Sequence, residues 1–289
     1  GSAYEPSTYA AMHLFGDAIA GLLRAAGPDA TLTPAPHILA RLRSILMPGE
    51  VDQVRAGCAV VEAAFTAAAE TLRSGRRESE VAAEVSGRLS ILGLEATGAR
   101  RAGGFAYCMS GPNAARAAAA YARSTARRLR DGEFVLLHCN SYINGYWTDV
   151  TRTYVVGQPD ERQRSMYDAV LAARQAALAA LRPGVRASEV DGAARAVLTE
   201  RGFGPNFTHG VGHNVGFSAI STEYPPRLHP ASSDLMEVGM TFNIEPAIYI
   251  EGYGGLRHCD VVTLGPMGAE VLSPFHTRLE ELIVDHFDP

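Results

Sequence analysis

Three stretches of this chain bring metal-capable or proton-transferring side chains to suggestive spacings. His138 and Asp149 flank a turn that includes Asn144-Gly145. With that turn centred between Tyr142 and Gly145, the two residues face each other directly, with Cβ atoms about 4.5–5.5 Å apart. An imidazole opposite a carboxylate is half a binding site. A second hairpin centred on Gly252 places Glu245 opposite Cys259. The segment His209-Gly-Val-Gly-His213 adds two more imidazoles. Its glycines oppose a continuous helix, so this HxxxH is not the helical zinc motif.

The surrounding pattern supplies elements to position these groups. Pro48-Gly49-Glu50 opens a helix over 51–72, and a second covers 79–92. Strands follow at 134–139 and 146–156, rich in β-branched and aromatic residues. Helices at 161–181 and 187–202 come next, then a Gly-rich segment at 209–216 and strands at 240–244 and 256–264. Residues 104–113 read as strand and loop, while the alanines of 114–129 favour helix by propensity. The order, a helix pair then strands, occurs twice. It predicts an α+β fold of two similar halves around a mixed or antiparallel sheet. Ahead of it, a helical pattern at 9–26 and a short run at 38–46 make residues 1–45 a leader or domain remnant, with the main domain at 46–289.

Composition narrows the chemistry. The 289 residues carry 26 basic and 31 acidic side chains, and every basic one is arginine. The absence of lysine excludes Schiff-base catalysis, lysine-anchored pyridoxal phosphate and the phosphate-binding P-loop. A net charge of −5 gives no reason to expect nucleic acid or an anionic membrane. No apolar run approaches the ~18 residues of a membrane span. Cys58, Cys108, Cys139 and Cys259 are widely spaced, which points to a reducing cytoplasm rather than a disulfide scaffold. Gly1-Ser2 reads as a tag scar.

Four segments carry a family resemblance. Gly145–Thr153, GYWTDVTRT, resembles the GY-x-x-D-x-TRT signature of the M24 metallopeptidases, a family that includes methionine aminopeptidase, aminopeptidase P, prolidase and creatinase. HGVGHNVGF at 209–217 is similar to its HG-x-GH-x-x-G segment, FNIEPAIY at 242–249 to its F-x-IEP-x-IY strand, and GLRHCDVV at 255–262 to its G-x-R-x-E-D-x-V. The resemblance covers about residues 46–280 and implies the pita-bread fold. It also implies a site for two divalent metals built from two aspartates, one histidine and two glutamates. Asp149, His213 and Glu245 keep three of those positions; His138 stands at the other aspartate and Cys259 at the other glutamate. Two histidines usual in the family's peptidases fall at Ala118 and Ile220. Creatinase-type relatives imply a homodimer.

These substitutions shape the functional expectation. His138, Asp149, His213, Glu245 and Cys259 are all competent ligands, and imidazole with thiolate suits one Zn²⁺ or Fe²⁺ better than two oxygen-seeking ions. Two manganese or cobalt ions are the alternative. The expected activity is metal-dependent hydrolysis of an amide, peptide or related C–N bond in a small molecule or short peptide. Glu245 and His209 would then be catalytic, and Tyr146 and Arg257 would bind substrate. Other readings are a creatinase-like metal-free C–N hydrolase, a mononuclear iron-dependent oxidative enzyme, and a non-catalytic binding module. Arg152 and Arg257 either clamp a substrate carboxylate or pair with an acid such as Asp260. His258 alternates away from Cys259 along its strand.

Overall fold

A computed structural model describes residues 16–118, 123–221 and 224–284. By its contacts the chain divides into two units, with the division between Leu39 and Ala40. In the first lies helix α1 (Gly16–Ala26); α2 (Pro36–Ser44) spans the junction. The start of the helix expected at 9–26 falls outside the described residues.

In the second unit, α3 (Pro48–Ala69) and α4 (Glu78–Glu95) form the first helix pair. Pro48 enters at a position where its missing N–H costs nothing, and Glu50 reaches back to the Met47 amide at 2.7 Å. Val51, Val54, Cys58, Val61, Phe65 and Ala68 give α3 one buried stripe at helical spacing. Strands β1 (Ala102–Ser110), β2 (Phe134–Ile143) and β3 (Tyr146–Val156) follow as an antiparallel meander, and β11 (Ile283–Val284) adds to β3 in parallel.

The second half repeats the plan. Helices α5 (Glu161–Ala180) and α6 (Ala187–Glu200) pack together, and α5 starts at an Asp160/Gln163 capping box. Short strands β4 (Gly212–His213) and β5 (Arg227–Leu228) pair, as do β7 (Ala247–Ile250) and β8 (Gly254–Arg257). Strands β6 (Thr241–Ile244), β9 (Asp260–Gly265) and β10 (Gly268–Val271) form a third group in the order β10-β9-β6. A bridge between Thr151 and Cys259 joins the sheets of the two halves. The result is the pita-bread architecture, mixed helix and sheet with a curled half-barrel. Among the described residues no helix is long and apolar enough to cross a membrane.

Two expectations are corrected. The first hairpin turns on Asn144-Gly145 alone, both at positive φ (53° and 96°), so His138 pairs with Thr151 and Asp149 with Asn140. A two-residue turn of this kind matches the twist of its strands. His138 and Asp149 are therefore diagonal neighbours, still on one face because the register moved by two residues. The alanine-rich 114–129 stretch is not a regular α-helix in its described part; Gly111–Ala118 is a 3₁₀ helix and residues from 123 are irregular. The buried Glu78 carboxylate competes for this backbone. It accepts from the Ser110 amide and hydroxyl, the Asn113 side chain, and the Thr125 amide and hydroxyl, at 2.7–2.9 Å.

Candidate metal centre

Alternation along the hairpin decides what faces the site. On β2 and β3, His138, Asn140, Asp149 and Thr151 share one face. Ser141 and Thr148, on the other, lie against Gly57 of α3. From the second half, β6 and β9 run in the same register as β7 and β8, which brings Glu245 opposite Cys259 just beyond the strand ends. The remaining contributor, His213, sits on β4. Gly212 permits this, because a methyl group there would collide with the Asn243 carbonyl oxygen.

The side chains converge. Ligand atoms of Asp149, Glu245 and Cys259 all lie within 4.8 Å of one another. His138 Nδ1 is 3.6 Å from Asp149 Oδ1, and His213 Nε2 is 3.6 Å from Asp149 Oδ2 and 3.7 Å from Glu245 Oε1. Cys259 Sγ stands 3.6 Å from Asp149 Oδ1. Ligands bound tetrahedrally to one ion at ordinary zinc distances are roughly 3.3–3.8 Å apart. The group that could hold a metal ion is Asp149, Glu245 and Cys259, with the two imidazoles at its edge.

Hydrogen bonds orient the donors. His213 Nδ1 lies 3.0 Å from the Asn214 carbonyl, which can only accept, so Nδ1 carries the hydrogen. The His213 amide donates to Asn243 Oδ1 at 2.7 Å, which turns the Asn243 NH₂ toward His213 Nε2 at 3.0 Å. Nε2 is therefore the acceptor nitrogen and takes the Asn243 NH₂, with the Asp149 and Glu245 carboxylates next nearest at 3.6 and 3.7 Å. The same NH₂ donates to Cys259 Sγ at 3.5 Å. Burial pushes the His138 imidazole down to about 4, against the pull of Asp149. Burial, then Asp149 and Glu245, drives the Cys259 thiol well above its ordinary value.

Arg257 closes one side. Its Nε donates to Thr151 Oγ1 at 3.0 Å, the oxygen that also contacts His138 Nδ1, and its Nη1 lies 3.9 Å from Glu245 Oε2. Burial works against its charge, but Tyr249, Glu245 and Asp149 outweigh it, so the guanidinium stays protonated. His209 has both nitrogens engaged: Nδ1 with the Gly210 carbonyl at 2.7 Å, Nε2 with the Tyr249 hydroxyl at 3.1 Å.

Other expected residues lie elsewhere. Tyr146 is on the opposite face of β3 from Asp149, and its hydroxyl donates to Glu50 of α3 at 3.0 Å, so it does not line the site. Arg152 is structural. Fully buried, it pairs with Asp260 and donates to the carbonyls of Thr151, Cys259, Ser273 and Phe275. His258 faces Asp260, with Nε2 3.4 Å from the carboxylate. Ala118 and Ile220 are exposed and bring no imidazole. Asn243, Asn214, Thr151 and Tyr249 are the participants that sequence reasoning missed. Asn243 alone left a signal, as the inward neighbour of Glu245 at strand spacing.

A half-barrel whose two halves each deliver ligands to a shared centre defines the pita-bread class. Within that class, the chain belongs to metallopeptidase family M24, whose profile matches residues 52–266. It is 33% identical over 242 residues to the Xaa-Pro dipeptidase of Pyrococcus furiosus, an alignment covering 84% of this chain. The chain spans only 66% of that relative's length. It resembles the crystal structure of dipeptidase PepE from Mycobacterium ulcerans at a TM-score of 0.79 and 30% identity, covering 92% of this chain and 68% of that one. The X-Pro aminopeptidase of Thermotoga maritima shares the fold at a TM-score of 0.82 and 22% identity, over 93% and 72% of the two chains.

Proposed function

We propose that the chain is a metal-dependent hydrolase of an amide or peptide C–N bond in a small substrate, using one zinc or iron ion held by Asp149, His213, Glu245 and Cys259 with His138 alongside. The observation that carries this reading is the grouping of Asp149, Glu245 and Cys259, whose ligand atoms lie within 4.8 Å of one another, with His213 Nε2 3.6 and 3.7 Å from the two carboxylates. Two buried carboxylates brought this close repel each other, and a cation between them would relieve it. A divalent ion there supplies an activated water and polarises a carbonyl.

The protein's own groups divide the remaining work. Glu245, between His213 and Arg257, is placed to accept the proton of attacking water. Arg257, anchored on Thr151, sets a permanent positive charge beside the oxygen on which negative charge develops. Tyr249 accepts from Arg257 at 3.5 Å and donates to His209, holding the arginine from behind. The relatives named Xaa-Pro dipeptidase and dipeptidase favour short peptides as substrates. The missing imidazoles at Ala118 and Ile220 favour a narrower range than theirs. A second reading, iron-dependent oxidation, draws support from the two histidines grouped on Asp149.

Elemental analysis of tag-free protein purified without chelator tests the proposal. Near one equivalent of zinc or iron per chain is expected, with hydrolysis lost on chelation. Cobalt-substituted protein should show a thiolate charge-transfer band that C259S abolishes. Two equivalents of manganese or cobalt would overturn the single-ion site. Full hydrolytic turnover by metal-free protein would overturn the mechanism, and oxygen uptake with added Fe²⁺ would favour the second reading.

A further inference from the structure

The face of the first sheet that carries His138 and Asp149 also carries four aromatic rings. In register, Tyr107 pairs with His138, Phe105 with Asn140, Gly103 with Tyr142, and Tyr142 with Trp147. The rings form two pairs on this face: Phe105 and Tyr107 have centroids 5.4 Å apart, and Tyr142 and Trp147 4.8 Å. Tyr107 continues the patch to the ligands, stacked nearly parallel on the His138 imidazole at 6.1 Å and 11°. Gly103 makes the room; a Cβ there would stand 2.9 Å from Tyr142 Oη and 3.2 Å from Cζ.

Hairpin packing alone does not require such a surface. Residues on the opposite face of these strands, Ala106, Cys108, Cys139, Ser141 and Thr148, are buried. The four aromatics are only half-buried. Half-covered rings on the same face as a cluster of ligand-capable side chains, one of them stacked on His138, are what a small-molecule site presents to the apolar part of its ligand.

We propose that Phe105, Tyr107, Tyr142 and Trp147 form the subsite for an aromatic side chain flanking the scissile C–N bond, so that the substrates are small amides or dipeptides bearing an aromatic residue. The inference rests on the hydrolytic reading for its placement beside that bond. Specificity arises from ring-on-ring contact at the subsite, while the ligand cluster handles the amide common to all substrates.

Trp147 is the only tryptophan in the chain, so its emission reports directly on the subsite. The probes are the dipeptides Phe-Ala, Ala-Phe and Ala-Ala, titrated into metal-loaded protein, with hydrolysis followed in parallel. One of the two Phe dipeptides should bind about tenfold tighter than Ala-Ala and shift the Trp147 emission. F105L, which keeps an apolar side chain for packing but removes the ring, should erase most of that advantage. Y142L provides the same comparison from the neighbouring strand. The proposal is overturned if both Phe dipeptides bind no tighter than Ala-Ala, or do not bind. Equal kcat/KM for all three would remove the subsite and leave the hydrolytic reading standing. Ring-dependent binding without hydrolysis of any probe would do the reverse.

Discussion

Replacing Asp260 by asparagine should be among the most damaging single changes outside the ligand set. The carboxylate is fully buried and receives Arg152 Nη2 at 2.7 Å, Arg174 Nε at 2.5 Å and Ser273 Oγ at 3.0 Å. D260N is nearly isosteric, so the cost is electrostatic. It leaves two guanidinium groups, one fully buried and one mostly buried, without their counter-charge. Breaking one side of a buried pair costs about 3–5 kcal/mol. Arg152 keeps four carbonyl acceptors and the face of Phe275 at 4.4 Å, which favours the lower end, about 3 kcal/mol. For a chain of this size that lowers Tm by roughly 6–12 °C. Urea unfolding followed by circular dichroism would read the same loss as a lower midpoint at unchanged slope. The control is R227A, which breaks a pair whose arginine is 40% exposed and should cost less than about 1 kcal/mol. If D260N matched R227A, the assignment of Arg152 and Asp260 as a structural strut would be wrong.

Further expectations concern the supports of the site. E78Q removes the charge that gathers five donors around residues 110–125 and should destabilise by about 3 kcal/mol, with proteolysis beginning in that segment. N144A should cost about 1–2 kcal/mol in thermal unfolding, because alanine tolerates φ 53° poorly and cannot replace the bonds to the Arg100 amide and the Gly98 carbonyl. Asp234 is held below its ordinary 3.8 chiefly by its hydrogen bond from Arg227. A depressed carboxylate stabilises the fold above that ordinary value and loses its contribution as pH falls through the folded one. D234N should therefore flatten the decline in stability below pH ~4, and an unchanged acid limb would contradict it.

The halves of the fold were legible because helix and strand periods are local, and the family segments mark the stretches that carry Asp149, His213, Glu245 and Cys259, though not the strand of His138. The ligand faces were legible for the same reason. Parity survived even where register did not, since assigning the turn to Asn144-Gly145 moves each pairing by two residues and turns no side chain over. What escaped depends on distant partners. Nothing near Asn243 announces that its amide lies between His213 and Cys259, 30 and 16 residues away. For Arg152 the sequence left a clamp and a pairing with Asp260 both open, and the contact between strands decides for the pairing. Tyr146 sits in the most recognisable segment of the chain yet faces helix α3, because its neighbour Trp147 takes the site face. The alanine-rich stretch at 114–129 has helical propensity, but Glu78 offers its flanking backbone a better set of acceptors.

The two positions that depart from the family's carboxylates, His138 and Cys259, come from different halves of the molecule and address the same atom, Asp149 Oδ1, each from 3.6 Å. Changing either one back to the family's residue, H138D or C259E, sets a new anion against Asp149 beside a neighbour chosen for other company, whereas changing both restores a carboxylate set designed around two ions. Because both contact one oxygen, the two changes should couple: the double variant should alter metal binding by more than the sum of the single variants.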